Sequence, residues 1–309
     1  MPLHPQVVQA IKAAGDLPTD LTPQQLRRAY EEQRLKLLPP RPGVAETFEL
    51  SIPSDYGPIP ARFYRARKSK VPCPLLVFYH GGGFMLGTLE LYDTSCRRLA
   101  LKGDCAVISI GYRLSPETQF PGAVLDCYAA TKWCSDRAGF LGIDPDRIAV
   151  GGESAGGNFA AVVSQMAHDS GDFQVAFQAL IYPMTDMSRE WPSYERNASG
   201  YMLTRAALHC FMDNYIPDPS DRLDHRASPI LRPDMSGLPP ALIISAEFDP
   251  LVDENEAYAA RLKQARVPTQ YVCFAGMVHP FFTLGGLVDD AGKAEDLIAT
   301  EMKKLGGKT

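Results

Sequence analysis

Residues 147–161, RIAVGGESAGGNFAA, set Ser154 inside a G-x-S-x-G pattern, after a β-branched run and ahead of small residues suited to begin a helix. Between a strand and a helix, this spacing describes a nucleophile elbow. Such a turn is tight enough that the residues two before and two after the serine crowd each other, and Gly152 and Gly156 relieve the crowding. The hydroxyl is then pushed out above the sheet, at the positive end of the following helix. Alone the pattern is a weak signal, because a glycine-rich turn reads the same way. FYHGGGF at 78–84 strengthens it: three successive glycines after an apolar run let backbone N–H groups approach a substrate oxygen that a Cβ would obstruct. Gly82 and Gly83, with the Ala155 amide, are assigned to an oxyanion hole, and Gly81 is left outside that assignment. A phosphate-binding loop is the rival reading, but neither G-x-x-x-x-G-K-[ST] nor G-x-G-x-x-G is present in this stretch.

A serine hydroxyl is a poor nucleophile until a base takes its proton. Of the six histidines, His279 in FAGMVHPFF follows the last predicted strand, where a loop leaves the carboxyl edge of the sheet. It is the assigned base. His4 lies in the N-terminal segment, His168 at a helix end, and His209 and His225 in or beside a segment outside the sheet rhythm; His80 anchors the glycine loop. For the acid that orients the base, ALIISAEFDPLVDE offers Glu247, Asp249, Asp253 and Glu254. Glu247 is still in the strand, and Asp253 and Glu254 begin the next helix, where acids are routinely structural. Asp249 remains. The order Ser154, Asp249, His279 differs from both familiar serine-protease orders.

These residues need a frame. Short β-rich runs alternate with longer amphipathic ones after residue 45, which predicts a mostly parallel sheet covered by helices. Strands are expected at 47–52, 61–66, 74–80, 105–110, 147–152, 175–183, 241–247 and 269–275. Helices are expected near 90–102, 122–138, 154–168, 204–215, 253–266 and 289–305. The first two strands form an edge hairpin, since their connection is too short for a parallel crossover. Residues 1–45 and 185–225 stand outside this rhythm and read as a helical cap over core segments 46–184 and 226–309. Thr22 before Pro23, and Thr204, are expected helix caps.

A formal net charge of −5, with 36 acidic and 31 basic residues among 309, gives no general attraction to nucleic acid. Arg27-Arg28 and the cations of 65–70 read as solvated faces. No apolar run approaches the roughly twenty residues that span a bilayer, and the N-terminus lacks a secretory pattern. Seven scattered cysteines without C-x-x-C spacing argue against a disulfide framework or a zinc site, and read as small buried residues in a reducing cytoplasm.

HGGGF at 80–84, YRLSPE at 112–117, FPGAVLD at 120–126, GESAGGN at 152–158, DPLVDE at 249–254 and GMVH at 276–279, in that order, resemble the hormone-sensitive-lipase-like branch of the α/β-hydrolases, whose bacterial members are carboxylesterases. The resemblance runs through essentially all of the chain after residue 45. It implies an α/β-hydrolase fold with a helical cap, hydrolysis of small esters of short to medium acyl chains, and neither metal nor organic cofactor. Two positions depart from the family pattern: Glu153 stands where Asp or Thr is usual, and Pro280 where Gly is common. Pro280 removes an N–H and holds His279 to extended conformations. Arg113 and Glu117 of YRLSPE are expected to form a buried structural pair. Phe84, Met202, Leu203, Phe211 and Phe281 are expected to line the substrate pocket. Two rivals stand beside an esterase: a hormone receptor like the plant gibberellin receptor, which resembles this family but lacks the histidine, and amide hydrolysis or elimination at the same site. No nucleic-acid partner or stable membrane insertion is expected, and homo-oligomerisation is left open.

Overall fold

In LLVF at 75–78 successive side chains point to opposite faces, and all are apolar, so the strand is stable only where both faces are covered. The structure, a computed structural model, describes residues 2–15, 21–68 and 72–307 and places this run inside an eight-stranded sheet. The strands are β1 (Glu46–Ile52), β2 (Ile59–Arg65), β3 (Cys73–Tyr79), β4 (Ala106–Ile110), β5 (Ile143–Glu153), β6 (Phe177–Ile181), β7 (Ala241–Phe248) and β8 (Thr269–Val278). Their spatial order is β1-β2-β4-β3-β5-β6-β7-β8. The expected hairpin of β1 and β2 forms one edge, β2 runs antiparallel to β4, and the remaining pairings are parallel.

The helices are α1 (Pro5–Ala14), α2 (Pro23–Leu35), α3 (Leu89–Gly103), α4 (Gly122–Asp136), α5 (Ala138–Leu141), α6 (Ala155–Ser170), α7 (Pro192–Arg196), α8 (Arg205–Tyr215), α9 (Val252–Gln264) and α10 (Asp290–Leu305). Leu75, Val77 and Tyr79 enter one apolar cluster with Val124 of α4, Phe159 of α6 and Leu262 of α9. Leu76 and Phe78 enter the opposite cluster with Val7 of α1, Leu99 of α3 and Ile298 of α10. The chain is an α/β-hydrolase fold: a mostly parallel sheet between two helical layers.

The expected caps hold α2 and α8. Thr22 Oγ1 accepts the Gln25 amide at 3.3 Å while Gln25 Oε1 accepts the Thr22 amide at 3.0 Å, and Thr204 Oγ1 accepts the Ala207 amide at 3.1 Å. Strand bounds differ most where pairing overrides pattern. β5 starts at Ile143, opposite Cys73, ahead of the strand expected from 147; β8 continues past Gly276 because Val278 pairs with Phe248 after a register shift that adds residues on the β8 side. Cys210 and Cys273 are exposed, unlike the buried thiols expected.

At the β5–α6 junction, an ideal Cβ on Gly156 falls 2.0 Å from the Tyr79 carbonyl oxygen, and one on Gly152 falls 2.3 Å from that of Gly156. Backbone on both sides leaves nothing to swing aside. Gly156→Ala is therefore expected to destabilise the protein by about 3 kcal/mol, seen as a lower urea midpoint at unchanged slope. A loss below about 0.5 kcal/mol, the size of an ordinary surface change, would contradict this packing.

Candidate active site

Ser154 immediately follows β5, Asp249 follows β7, His279 follows β8, and the HGGG loop follows β3. Since these strands are parallel, all four positions fall at one rim, the carboxyl edge where open α/β sheets bind ligands. Ser154 takes φ +57° and ψ −115°, a left-handed conformation rare outside glycine. Hydrogen bonds fix it: its N–H donates to Ile181 O at 2.8 Å, and its carbonyl accepts the Asn158 N–H at 3.0 Å. Asn158 Nδ2 also donates to Met184 O and Ala227 O, both at 2.8 Å, tying α6 to the two ends of the 185–225 segment.

The three side chains meet. Ser154 Oγ lies 2.9 Å from His279 Nε2, and His279 Nδ1 lies 2.7 Å from Asp249 Oδ2. All three are buried. Asp249 is itself held: Oδ1 accepts the Leu251 amide at 2.9 Å, and its carbonyl accepts Asn197 Nδ2 at 3.0 Å. Burial pulls the His279 pKa down, but the Asp249 charge and hydrogen bond outweigh it, so the pKa stands above the ordinary histidine value. Glu153 pushes the same way and Arg34 opposes it. His80 behaves differently. It is stacked on Tyr112 at 4.2 Å, and burial without a carboxylate lowers its pKa to about 4, so it stays neutral as a loop anchor.

Gly82 and Gly83 take φ +121° and +60°, and a Cβ on Gly83 would fall 2.3 Å from the Phe211 ring. Both glycines and Ala155 border a cavity of about 150 Å³ that also contains Ser154 and His279. Of the expected pocket residues, Met202, Leu203 and Phe211 line it, as does Phe84, whose ring is nevertheless buried in a stack with Tyr215 at 4.2 Å. Phe281 is a correction: it is fully buried against Tyr182 and Phe274 and does not border the cavity. It points into the sheet-side cluster because it begins the turn after the His279 loop, whose ring side is taken by Tyr182. A larger hollow of about 310 Å³, beside Cys73 and Arg147, lies at the amino ends of β3 and β5, away from this rim.

Arg113 and Glu117 do not pair. Residues 112–121 are not helical, so spacing by four does not bring the side chains together. Arg113 instead forks onto Asp126 at 2.8 Å through Nε and Nη2, and Glu117 is exposed and bound by Arg27. Arg27, read from sequence as a solvated residue, is a strut between α2 and the glycine loop. It donates to Met85 O at 2.8 Å, Ser115 O at 2.7 Å and both Glu117 oxygens. Glu153 accepts the Tyr92 hydroxyl at 2.6 Å and fills the space a Gly81 side chain would need, so the longer acid braces the loop from behind. Tyr30, Arg34 and Pro280 also line the cavity. The first two carried no signal, because a helix facing a distant site has no local motif. Among the described residues, no group of three His, Cys, Asp or Glu side chains is placed to hold a metal ion, and no helix is long and apolar enough to cross a membrane.

Residues 76–283 match the α/β-hydrolase fold family. The chain is 43% identical over 247 residues to the carboxylic ester hydrolase LipN of Mycobacterium tuberculosis, covering 77% of this chain and 65% of that one, just under two thirds of its length. It is 35% identical over 305 residues to an ethyl acetate hydrolase of Pseudomonas putida, covering 97% and 96% of the two chains. Among solved structures, the ester-hydrolase EH1AB1 from the metagenome of Lake Arreo, complexed with a bipyridine phosphonate derivative, superposes with a TM-score of 0.94 at 40% identity, covering 99% and 100%. The chain belongs to the hormone-sensitive-lipase-like branch of the α/β-hydrolase family, a branch of carboxylic ester hydrolases.

The strut makes a prediction. Arg27→Met is expected to cost about 1–3 kcal/mol in urea unfolding, whereas exposed Arg28→Met should change stability by less than about 0.5 kcal/mol. Equal effects from the two neighbours would show that Arg27 does not bear on the loop.

Proposed function

We propose that the protein is a serine carboxylesterase that hydrolyses short- to medium-chain acyl esters through Ser154, His279 and Asp249 by way of an acyl-enzyme. The observation that carries this reading is the pair of hydrogen bonds, 2.9 and 2.7 Å, linking the three side chains beside a cavity that Gly82, Gly83 and Ala155 border. The small apolar lining supports small substrates, and the names of the relatives support ester chemistry. In this reading residues 1–45 and 185–225 act as the cap, and the free thiols fit a cytoplasmic location.

His279 Nε2 takes the Ser154 proton as Oγ bonds to the ester carbonyl carbon. The oxyanion that forms rests on the Gly82, Gly83 and Ala155 amides, each such donor contributing about 2.7–4 kcal/mol at the transition state. The imidazolium then gives its proton to the departing alcohol oxygen as the carbon–oxygen bond breaks, leaving Ser154 acylated. Water repeats the sequence: His279 takes its proton, hydroxide oxygen bonds to the acyl carbon, and Ser154 leaves with the proton returned. Asp249 fixes the tautomer with Nδ1 protonated and stabilises the imidazolium.

Ser154→Ala is expected to lower turnover of 4-nitrophenyl butyrate at least about a thousandfold; near-parental rates would refute the nucleophile. Only neutral His279 accepts the proton, so activity is lost as pH falls through its pKa. Because that pKa is raised, the acid limb of kcat/KM should have its midpoint above the ordinary value of 6.5. Asp249→Asn removes the raising charge and should move the midpoint down while lowering kcat by roughly 10⁴-fold. A midpoint that stays in place would separate Asp249 from the base.

A further inference from the structure

We propose that Arg34 binds a second carboxylate on the substrate, so that this site favours esters bearing a free carboxyl group, half-esters of dicarboxylic acids among them; the proposal rests on the esterase reading above. Arg34 stands in the last turn of α2 and lines the same cavity as Ser154 and His279. It is more than nine-tenths buried, and Nη1 has no hydrogen-bond partner among the described residues. Its guanidinium lies over the Tyr30 ring, 5.2 Å from the centroid, which holds the fork in place.

Two turns earlier on the same helix, Arg27 engages Nε, Nη1 and Nη2 with two carbonyls and the Glu117 carboxylate. Arg65 and Arg222 also each bury an Nε without a hydrogen-bond partner, but both are paired with a carboxylate, Glu46 and Asp213. Arg34 keeps its charge under all conditions of pH that proteins meet yet forms no ion pair among the described residues. Burial works against the charge, and Tyr30 and the more distant Glu153 offset it, but neither occupies Nη1, which leaves a hydrogen-bonding position for an incoming anion. Glu153, the other charged residue on the lining apart from the histidine, is engaged by the Tyr92 hydroxyl and wedged behind Gly81. The rest of the wall is mostly Leu86, Met184, Leu203, Leu208 and Phe211, which offer a carboxylate no other partner. A planar fork with spare N–H donors matches a carboxylate better than a neutral chain end.

Two matched pairs test this, each exchanging a terminal methyl for a carboxylate: monoethyl glutarate against ethyl pentanoate for the acyl side, and butyryloxyacetate against ethyl butyrate for the alcohol side. Rates are followed by pH-stat titration. In the parent enzyme, the anionic-to-neutral ratio of kcat/KM is expected at or above one in at least one arm, and Arg34→Met is expected to lower that ratio about tenfold to a hundredfold. The responding arm tells which side of the ester faces Arg34. A parental ratio below one in both arms overturns the proposal even if Arg34→Met does not fold, and a ratio that Arg34→Met leaves unchanged in both arms overturns it directly. Absence of Ser154-dependent hydrolysis of all four esters would instead overturn the esterase reading.

Discussion

Two carbonyls and two missing Cβ atoms set the geometry of this protein. The start of α6 lies so close to β3 and β5 that Gly152 and Gly156 touch backbone oxygen at the distances where any side chain would collide. That contact forces the chain to reverse within one residue, and Ser154 absorbs the reversal at φ +57°. A non-glycine residue there stores about 1–3 kcal/mol, offset by hydrogen bonds to Ile181 and Asn158 and by the burial of most of α6. The strained serine is thus a product of helix–sheet packing, and its hydroxyl is aimed before any ligand arrives.

The other groups inherit their positions from the same sheet. Each begins its loop one residue past a parallel strand, so strand register decides how far apart they stand. The register shift between Ala246 and Phe248 adjusts the ends of β7 and β8 so that Asp249 and His279 meet. Loops need further restraint, and residues of α2 and of the segment 185–225 supply it. Asn197, just after α7, grips the Asp249 carbonyl, and Ser193 of α7 donates to Pro250 O. Glu254 accepts the Thr185 amide at 2.5 Å and the Tyr194 hydroxyl at 3.0 Å, and its deep burial pushes its pKa well up. On the opposite flank, Arg27 of α2 holds the glycine loop.

Much of this was legible without coordinates. The glycine positions, the strand–helix alternation and the placement of His279 and Asp249 after predicted strands follow from local pattern, because each depends on residues adjacent in sequence. Long-range pairing left no such trace. Arg113 and Glu117 look like partners at a spacing of four, but their segment is not helical, and each finds a distant group, Asp126 and Arg27. Phe281 lies two residues after His279 in sequence, yet the turn of Phe281–Thr283 sends its ring into the core. Tyr30 and Arg34 reach the cavity from a helix more than a hundred residues before the serine, where amphipathic pattern reports burial and says nothing about what the buried face meets.

Charge placement links α2 to the imidazole. Asp249 and Glu153 raise the proton affinity of His279, and Arg34 lowers it. With burial, which lowers it most, they set how readily the imidazole accepts and then surrenders a proton. A carboxylate alone would favour the imidazolium and slow its release of the proton to the departing alcohol. Burial counters most of that bias and the Arg34 cation adds to that opposition, and the same positive charge favours negative charge on a substrate oxygen held in the cavity. Because Arg34 rides on α2 and the Asp249 carbonyl is gripped by Asn197 just after α7, a shift of either helix would change the charge balance at the imidazole as well as the shape of the cavity.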